Sequence, residues 1–225
     1  VQVLHAWGMT EMSPLGTICS FKPEILELNE KDRISIQETT GHPPFSVELK
    51  ITDDDGNKLP NDGKTQGKLW SRGAAVVQKY LKTEQETVDK LGWFDTGDVA
   101  TIDKNGYMRI TDRSKDIIKS GGEWISSIDL ENAAVGHPEI VEAAAIGIKH
   151  PKWDERPILV VVSKKNSKIS KEEIFEFMKS YVAKWQIPDD IIFVDEIPHT
   201  ATGKISKIDL RKILEEKHYV HPDLD

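Results

Sequence analysis

Three places in the sequence carry polar side chains that could act on phosphate and sugar groups. Thr10 offers a hydroxyl that can donate to a phosphate oxygen, and Glu11 offers a carboxylate suited to a hard cation such as Mg²⁺. Asp98 follows a tight glycine turn, where a carboxylate can accept two hydrogen bonds from a sugar diol. Lys204 lies on a Thr-Gly loop, and its ammonium can stabilise negative charge during displacement at a phosphate.

Each of these residues also has an ordinary structural interpretation. Thr10-Glu11 could begin a helix with an acidic first turn, and Asp95 is typical of an Asx turn. His5, near a predicted strand end, is typical of a packed or hydrogen-bonded residue, and a single exposed lysine such as Lys204 is usually inert. The chemical interpretation therefore depends on the surrounding motifs.

The central segment, residues 111–126, has the sequence TDRSKDIIKSGGEWIS. Charged residues flank two isoleucines, and the strand-like pattern ends at Gly121-Gly122. Paired glycines there indicate a position where the backbone approaches another group closely. Taken alone, such a segment is typical of a solvated surface β-hairpin. Its charged residues before the glycines are Asp112, Arg113, Lys115, Asp116 and Lys119.

Hydrophobic periodicity divides the chain into a strand-rich part and a mixed part. Period-two alternation and turn clusters across residues 41–110 predict a β-barrel-like subdomain. Beyond residue 112 we predict a small mixed α/β domain, so the fold class is α+β, with domains at 1–111 and 112–225 joined by a hinge. The predicted strands are 46–51, 67–70, 107–110, 141–148, 158–162 and 190–194.

Helix starts in the second part are marked by short polar motifs. Ser126-x-x-Asp129 and Ser170-x-x-Glu173 each place a hydroxyl where it can cap the first turn of a helix. A last helix is expected to follow Ser206. These signals predict a compact module in which helices cover the strands.

Three segments imitate ligand sites. Residues 63–65 (GKT) resemble the end of a P-loop, but Lys58 occupies the position of its first glycine. Residues 53–56 (DDDG) lack the later glutamate of a calcium loop, so both segments are predicted to be turns. His218 and His221 lack zinc-site partners, and the tail from His218 is expected to fray.

The composition is that of an ordinary globular protein, with 38% hydrophobic residues among 225 and a mean hydropathy of −0.45. A formal charge of −8 argues against a nucleic-acid partner, which would require a basic surface. No run reaches the roughly 18 apolar residues of a transmembrane segment. The single Cys19 fits a reducing compartment, and we expect a cytoplasmic protein.

Four blocks resemble, in order and spacing, the adenylate-forming enzymes, which include acyl-CoA synthetases, peptide-synthetase adenylation domains and luciferases. The resemblance covers essentially all of the chain. It implies that a phosphate loop and most of a carboxylate pocket would lie upstream of Val1, so the chain is expected to begin inside a domain. The blocks are residues 5–11 (HAWGMTE), 92–98 (GWFDTGD), 111–126 and 198–205 (PHTATGKI).

This resemblance implies roles for residues of the first domain. Thr10 would contact the α-phosphate of ATP, and Glu11 would hold Mg²⁺. Asp98 and Arg113 would reach the ribose. Asp112 would be the hinge on which the second domain turns between an adenylating and a thioester-forming pose.

The resemblance also implies two working faces on the second domain. Lys204 would be the catalytic lysine of the adenylating pose, while Lys119 and the Gly121-Gly122 backbone would border a tunnel for the pantetheine arm of CoA. The implied catalytic set is Lys204, Thr10 and Glu11. The implied set that binds ATP, AMP or CoA is Gly8, Met9, Thr10, Asp98, Arg113, Lys119, Gly121, Gly122, Glu123 and Trp124.

The activity implied is that of an AMP-forming acyl-CoA synthetase, which joins a carboxylate, ATP and CoA into acyl-CoA, AMP and pyrophosphate. Residues 7–11, 121–124 and 184–188 resemble the branch for medium- to long-chain fatty acids, including ligases for small thioether acids. Trp185 departs from many relatives, which have tyrosine or phenylalanine there. The expected partners are therefore small molecules: the carboxylate, ATP and CoA.

Two alternatives stay open at this point. An amino-acid-adenylating domain would load a carrier protein, and a non-enzymatic module would bind a nucleotide without turnover. Because the phosphate loop is expected upstream, the 225 residues alone are predicted to form little or no adenylate. A homodimer, if formed, is expected to use that upstream N-terminal part.

Overall fold

The computed structural model describes residues 3–216 and residue 219. The chain divides into two compact units, Val1–Ser114 and Lys115–Asp225, which we call the first and second units. The hinge predicted at Asp112 lies near the end of the first unit. The predicted fraying from His218 and the pair His218 and His221 fall outside the described residues.

The first unit consists of a strand pair, two helices and one sheet. The pair is antiparallel, and the sheet has the order β3-β4-β5-β6 with every neighbour antiparallel. The elements are β1 (Ala6–Gly8), β2 (Leu15–Ile18), α1 (Pro23–Leu26), α2 (Glu30–Gln37), β3 (Val47–Thr52), β4 (Gly67–Gly73), β5 (Phe94–Ile102) and β6 (Met108–Arg113).

Alternating apolar residues of this sheet form the core of the first unit. Ile51 of β3 pairs with Leu69 of β4, and both are fully buried beside Ala100, Ile102 and Met108. Strand side chains alternate between two faces, so these positions cover one face of the sheet. The α+β class is confirmed, although the described strands form an open four-stranded sheet where we predicted a barrel-like subdomain.

Asp62 and Asp53 organise turns in the two segments that imitate ligand sites. Asp62 accepts hydrogen bonds from the backbone N–H groups of Thr65 and Lys64, and these hold its pKa at about 2, below its usual value. Asp53 likewise accepts from the N–H groups of Asp55 and Asn57. Among the described residues, no group of three His, Cys, Asp or Glu side chains could hold a metal ion.

The second unit has strands covered on both faces by helices. Its sheet has the order β11-β10-β7-β8, and β9 also pairs with β10 in antiparallel fashion. The elements are β7 (Ile118–Ser120), β8 (Glu123–Ile125), α3 (Ser127–Val135), β9 (Ile140–His150), β10 (Asp154–Ser163), α4 (Lys171–Met178), β11 (Asp190–Phe193) and α5 (Lys207–Glu216).

Two buried clusters explain why the sequences of β9 and β10 are nearly continuous apolar runs. Ala145 and Leu159 pack with α3 and α4, whereas their neighbours Ala144 and Ile158 pack with α5. Because successive strand residues point to opposite faces, both faces of β9 and β10 must be apolar. This packing fixes α5, and the loop before it, against the sheet.

The helix caps predicted from sequence are confirmed. The Ser126 hydroxyl accepts from the N–H of Asp129 at 3.1 Å, and α3 begins at the next residue. Ser170 and Glu173 exchange hydrogen bonds as a capping box at the start of α4. In the part of the chain that the structure describes, no helix is both long and apolar enough to cross a bilayer.

Candidate functional site

Asp98 is the most strongly held carboxylate of the predicted site. It lies on β5 with only 3% of its surface exposed. One carboxylate oxygen accepts from the indole Nε1 of Trp7 at 2.9 Å, and the other pairs with the Arg113 guanidinium at 2.9 Å. The first unit therefore brings residues of three sequence blocks together around one buried negative charge.

A tight turn before Asp98 sets its position. Asp95 accepts from the N–H of Gly97 at 2.9 Å, which is the Asx turn expected for this residue. Gly97 has φ +69°, a conformation that favours glycine. The N–H of Asp98 donates to the Thr96 hydroxyl, which in turn donates to the carbonyl of Leu69. Hydrogen bonds thus fix the turn to the sheet.

The loop with Thr10 and Glu11 is held by close backbone packing. A Cβ on Gly8 would lie 2.0 Å from the Pro14 carbonyl oxygen, so only glycine fits there. The next residue, Met9, donates its N–H to that same oxygen at 2.9 Å. Thr10 is exposed and begins a single 3-10 turn, which leaves its hydroxyl accessible to a ligand.

Glu11 has a partner that the sequence did not reveal. The Tyr80 hydroxyl donates to its Oε1 at 2.8 Å, and this hydrogen bond raises the pKa of Tyr80. The backbone carbonyl of Glu11 also accepts from the N–H of Val77 at 2.8 Å. Glu11 and Tyr80 are 69 residues apart, so no local pattern could have joined them.

Asp112, the predicted hinge, is a paired residue of β6. It is 1% exposed, pairs across the ladder with Val99, and accepts the N–H of Arg113 at 2.7 Å. A turn follows at residues 114–116. Because ladder pairing restricts φ and ψ, that turn can absorb a large backbone rotation more easily than the strand. The hinge role of Asp112 stays a prediction.

A two-residue loop joins β7 and β8 at Gly121-Gly122. Their φ angles are +61° and +88°, and two positive φ values are what a tight hairpin loop requires. Gly121 donates its N–H to the Trp153 carbonyl at 2.8 Å, and a Cβ on Gly121 would lie 2.9 Å from the Trp153 ring. A Cβ on Gly122 would meet none of the described residues within 4 Å.

Alanine at the two glycines is expected to have unequal effects. Gly122→Ala incurs only the left-handed backbone penalty of about 1–2 kcal/mol. Gly121→Ala adds a clash with Trp153, so it should lower the thermal unfolding midpoint of the full-length protein more. Differential scanning calorimetry of both variants compares them directly, and an equal loss at both positions would contradict the close packing of Trp153.

The other residues predicted on this hairpin occupy its two strands. Lys119 and Trp124 are cross-strand partners, and the Lys119 ammonium lies 5.6 Å from the centroid of the Trp124 ring. The N–H of Lys119 donates to the Glu155 carboxylate at 3.0 Å. Glu123 is exposed beside Gly122. The hairpin therefore presents one cation, one aromatic ring and one carboxylate close to the glycines.

A cleft of about 400 Å³ opens beside Gly121. Arg156 organises it, because its Nε contacts both carboxylate oxygens of Asp189 and its NH1 donates to the Ser120 hydroxyl and the Trp185 carbonyl. Sequence reasoning noted Trp185 but missed Arg156 and Asp189, which are 33 residues apart. The cleft is lined by Ser120, Gly121, Glu123, Trp153, Arg156, Trp185 and Asp189.

Lys204 is exposed at the tip of a closed loop before α5. Its N–H donates to the Thr200 hydroxyl at 3.2 Å, and its carbonyl accepts from the N–H of Thr200 at 2.7 Å. Gly203, with φ +81°, donates to the Thr200 carbonyl. Hydrogen bonds thus close the Lys204 loop, residues 198–206, while Lys204 itself is exposed.

The predicted residues fall into separate groups. The first unit brings Trp7, Asp98 and Arg113 together and pairs Glu11 with Tyr80. In the second unit, the hairpin at residues 118–125 and the Lys204 loop belong to different parts of the chain, before α3 and before α5. The second unit therefore carries both the glycine hairpin and the exposed lysine, on separate segments of the chain.

Two family models match this chain. The model described as AMP-binding enzyme matches residues 1–81, and the model described as AMP-binding enzyme C-terminal domain matches residues 129–204. The first match contains the Thr10-Glu11 loop. The second contains Arg156 and ends at Lys204.

Similar proteins include two curated ligases and a solved synthetase. The chain is 54% identical to the 3-methylmercaptopropionyl-CoA ligase of Ruegeria lacuscaerulensis and 49% identical to the medium-chain-fatty-acid–CoA ligase of Ectopseudomonas oleovorans. Each alignment covers 94% of this chain and 39% of the relative. The o-succinylbenzoate CoA synthetase of Bacillus subtilis, solved with ATP and magnesium ion, superposes with a TM-score of 0.77 at 27% identity, over 92% of this chain and 41% of that one.

Proposed function

The chain belongs to the AMP-binding enzymes, and from that premise we propose that it serves an AMP-forming acyl-CoA synthetase. In the first half-reaction a carboxylate oxygen attacks the α-phosphorus of ATP, which forms an acyl adenylate and releases pyrophosphate. In the second, the CoA thiol attacks the acyl carbon, which forms the thioester and releases AMP. The chain spans about 39% of the length of the curated ligases it matches.

The convergence of three sequence blocks on Asp98 is the observation that carries this proposal. Asp98 accepts from Trp7 and Arg113, and a carboxylate is a hydrogen-bond acceptor with about four lone-pair sites, the kind of group that a ribose diol can donate to. Trp7 and Arg113 hold the Asp98 carboxylate in one orientation. Such a group suits recognition of a nucleoside sugar, the feature that AMP and ATP share.

The remaining roles follow from the chemistry of four further side chains. Thr10 can donate its hydroxyl to the α-phosphate. Glu11 provides a hard oxygen ligand that fits Mg²⁺, and that ion, when bound, would neutralise part of the charge on the phosphates. Lys204 supplies a positive charge for the adenylating half-reaction. Asp112 would be the hinge between the two poses of the second unit.

The hairpin is proposed to serve the second half-reaction. A ligand could pass close to the Gly122 backbone, since no residue in the described part of the chain would contact a Cβ there within 4 Å. Gly8 and Met9 would complete the nucleotide loop. Lys119, Gly121, Glu123 and Trp124 would border the path of the CoA arm.

For the substrate, we infer a small thioether acid or a medium- to long-chain fatty acid. This inference follows the relatives, which are named for 3-methylmercaptopropionate and for medium-chain fatty acids. A homodimer and a cytoplasmic location stay predictions. The amino-acid-adenylating and non-enzymatic alternatives are the outcomes against which the proposal is tested.

The test is product formation by the full-length protein that carries this chain. The protein is incubated with ATP, Mg²⁺ and one of several acids, with and without CoA, and AMP and acyl-CoA are measured by mass spectrometry. The panel contains 3-(methylthio)propionate, octanoate, palmitate, benzoate and several amino acids. We expect stoichiometric AMP and acyl-CoA from the thioether or fatty acids only when CoA is present. Adenylates formed from amino acids alone, or no turnover, would refute the proposal.

A further inference from the structure

A partly buried ion pair lies at the start of α5, three residues after Lys204. The Lys207 ammonium is 2.6 Å from the Glu131 carboxylate of α3, and the two side chains are 11% and 17% exposed. Lys207 also donates to the hydroxyl of Ser127, on the first turn of α3. Neither half of this pair was singled out by sequence, because the partners are 76 positions apart.

Glu131 connects this pair to the sheet as well. Its Oε1 accepts from the backbone N–H of Ala145 on β9 at 2.9 Å. One carboxylate oxygen therefore joins α3, β9 and α5 at a single point. A buried ion pair contributes little net stability, since desolvation of both charges offsets their attraction. Its directional hydrogen bonds instead fix how α5 is placed on the sheet.

Backbone bonds couple the start of α5 to the Lys204 loop. Ser206, immediately before Lys207, donates its N–H to the Pro198 carbonyl at 2.7 Å, and His199 and Ile205 form a β-bridge. Together with the hydrogen bonds between Thr200 and Lys204, these contacts link the two ends of the loop and its tip. A displacement of Lys207 must therefore move Lys204 with it.

The loop has a second attachment, which is made directly to β9. His199 Nε2 lies 2.6 Å from the Glu142 carboxylate of β9. This contact is more exposed than the Lys207 pair, with 37% and 27% of the side chains accessible. The loop is therefore held to β9 near its start through His199, and to α3 just beyond its end through Lys207 and Glu131.

We propose that Lys207 and Glu131 form a positioning pair that orients the Lys204 loop for the adenylating half-reaction. This inference rests on the proposed function, in which Lys204 serves that half-reaction. In this proposal Lys207 acts through the Lys204 loop and not on the reacting atoms. Misplacement of a reactive group by about 1 Å can slow a reaction on the order of a hundredfold.

The activity test compares variants of the full-length protein. Lys207→Met removes the charge and keeps much of the side-chain volume, and Lys207→Met with Glu131→Gln also removes the buried carboxylate charge left behind. We expect both to slow adenylate formation about 10- to 100-fold. Transfer from a pre-made acyl adenylate to CoA should stay within about twofold, and Lys207→Arg should restore most of the adenylation rate.

A matched control lies on the same helix. Lys212 pairs with Asp209 at the surface, where the two side chains are 64% and 54% exposed. Lys212→Met makes the same chemical change at a side chain that reaches the loop only indirectly, because its partner Asp209 still accepts from the Ser206 hydroxyl, and both half-reactions should keep their rates. Equal losses in both half-reactions for Lys207→Met, or no loss in adenylation, would overturn the positioning role.

Amide hydrogen exchange tests the anchoring without reference to activity. In the wild-type protein, the N–H groups of Gly203, Lys204 and Ser206 all donate within the loop. Lys207→Met should speed their exchange at least tenfold, while Lys212→Met leaves it unchanged. Unchanged exchange in Lys207→Met would end the proposal even in a protein with full activity. Faster exchange in Lys207→Met, in a protein whose wild-type form makes no acyl-CoA, would instead reject the proposed function and keep the anchoring.

Discussion

Replacement of Lys204 by alanine is expected to slow adenylate formation about 100- to 1,000-fold, the range seen when one preorganised charge-stabilising group is removed. Transfer from a pre-made acyl adenylate to CoA should lose less than tenfold, because the hairpin at residues 118–125 is untouched. Lys204 is exposed and its backbone holds the loop, so alanine removes no buried contact. Separate single-turnover assays of the two half-reactions measure the split.

Two observations keep this result interpretable. Lys212→Ala removes a surface ammonium from the following helix and should change neither rate. The thermal midpoint of Lys204→Ala should match wild type within measurement error, since surface substitutions rarely change stability by more than about 0.5 kcal/mol. Equal losses in both half-reactions would show that Lys204 has another role.

Asp98→Asn is expected to raise the KM for ATP about 10- to 100-fold. The change removes the charge that strengthens hydrogen bonds from the ribose, and each hydrogen bond to a charged group contributes about 1.5–3 kcal/mol. Arg113 is 52% exposed on its side chain, so it can turn to water when its partner is neutralised. The fold should therefore survive, and AMP binding by calorimetry should weaken in parallel with KM.

The same motif supplies the control for Asp98. Asp95→Asn alters a carboxylate three residues earlier, but this one is exposed and serves the Asx turn at Gly97. Asparagine also forms Asx turns, so the KM for ATP should change less than twofold. If Asp95→Asn weakened nucleotide binding as much as Asp98→Asn, the recognition role would belong to the turn as a whole.

Local patterns predicted the elements that depend on near neighbours. The Ser126 and Ser170 caps need only residues three positions away, and both were found where the sequence placed them. The helix that Ser170 caps buries Ile174 and Met178 completely.

Long-range contacts were beyond the reach of these patterns. The partners of Glu11, Arg156 and Lys207 lie 69, 33 and 76 positions away. Whether a sheet closes also depends on long-range contacts, since it is decided by which strands pair across the whole unit. The subdomain that we expected to be barrel-like is an open sheet in the described strands. Family resemblance identified exposed groups such as Lys204, whereas the groups that hold them required the structure.

Carboxylate-dependent exchange of labelled pyrophosphate into ATP, measured on the full-length protein without CoA, tests the central claim most directly. An enzyme that forms a bound acyl adenylate must catalyse this exchange, since the first half-reaction is reversible. We expect exchange with 3-(methylthio)propionate or a fatty acid, and its near loss in Lys204→Ala. Acyl-CoA production without any exchange, or exchange that survives in Lys204→Ala at the wild-type rate, would contradict the account.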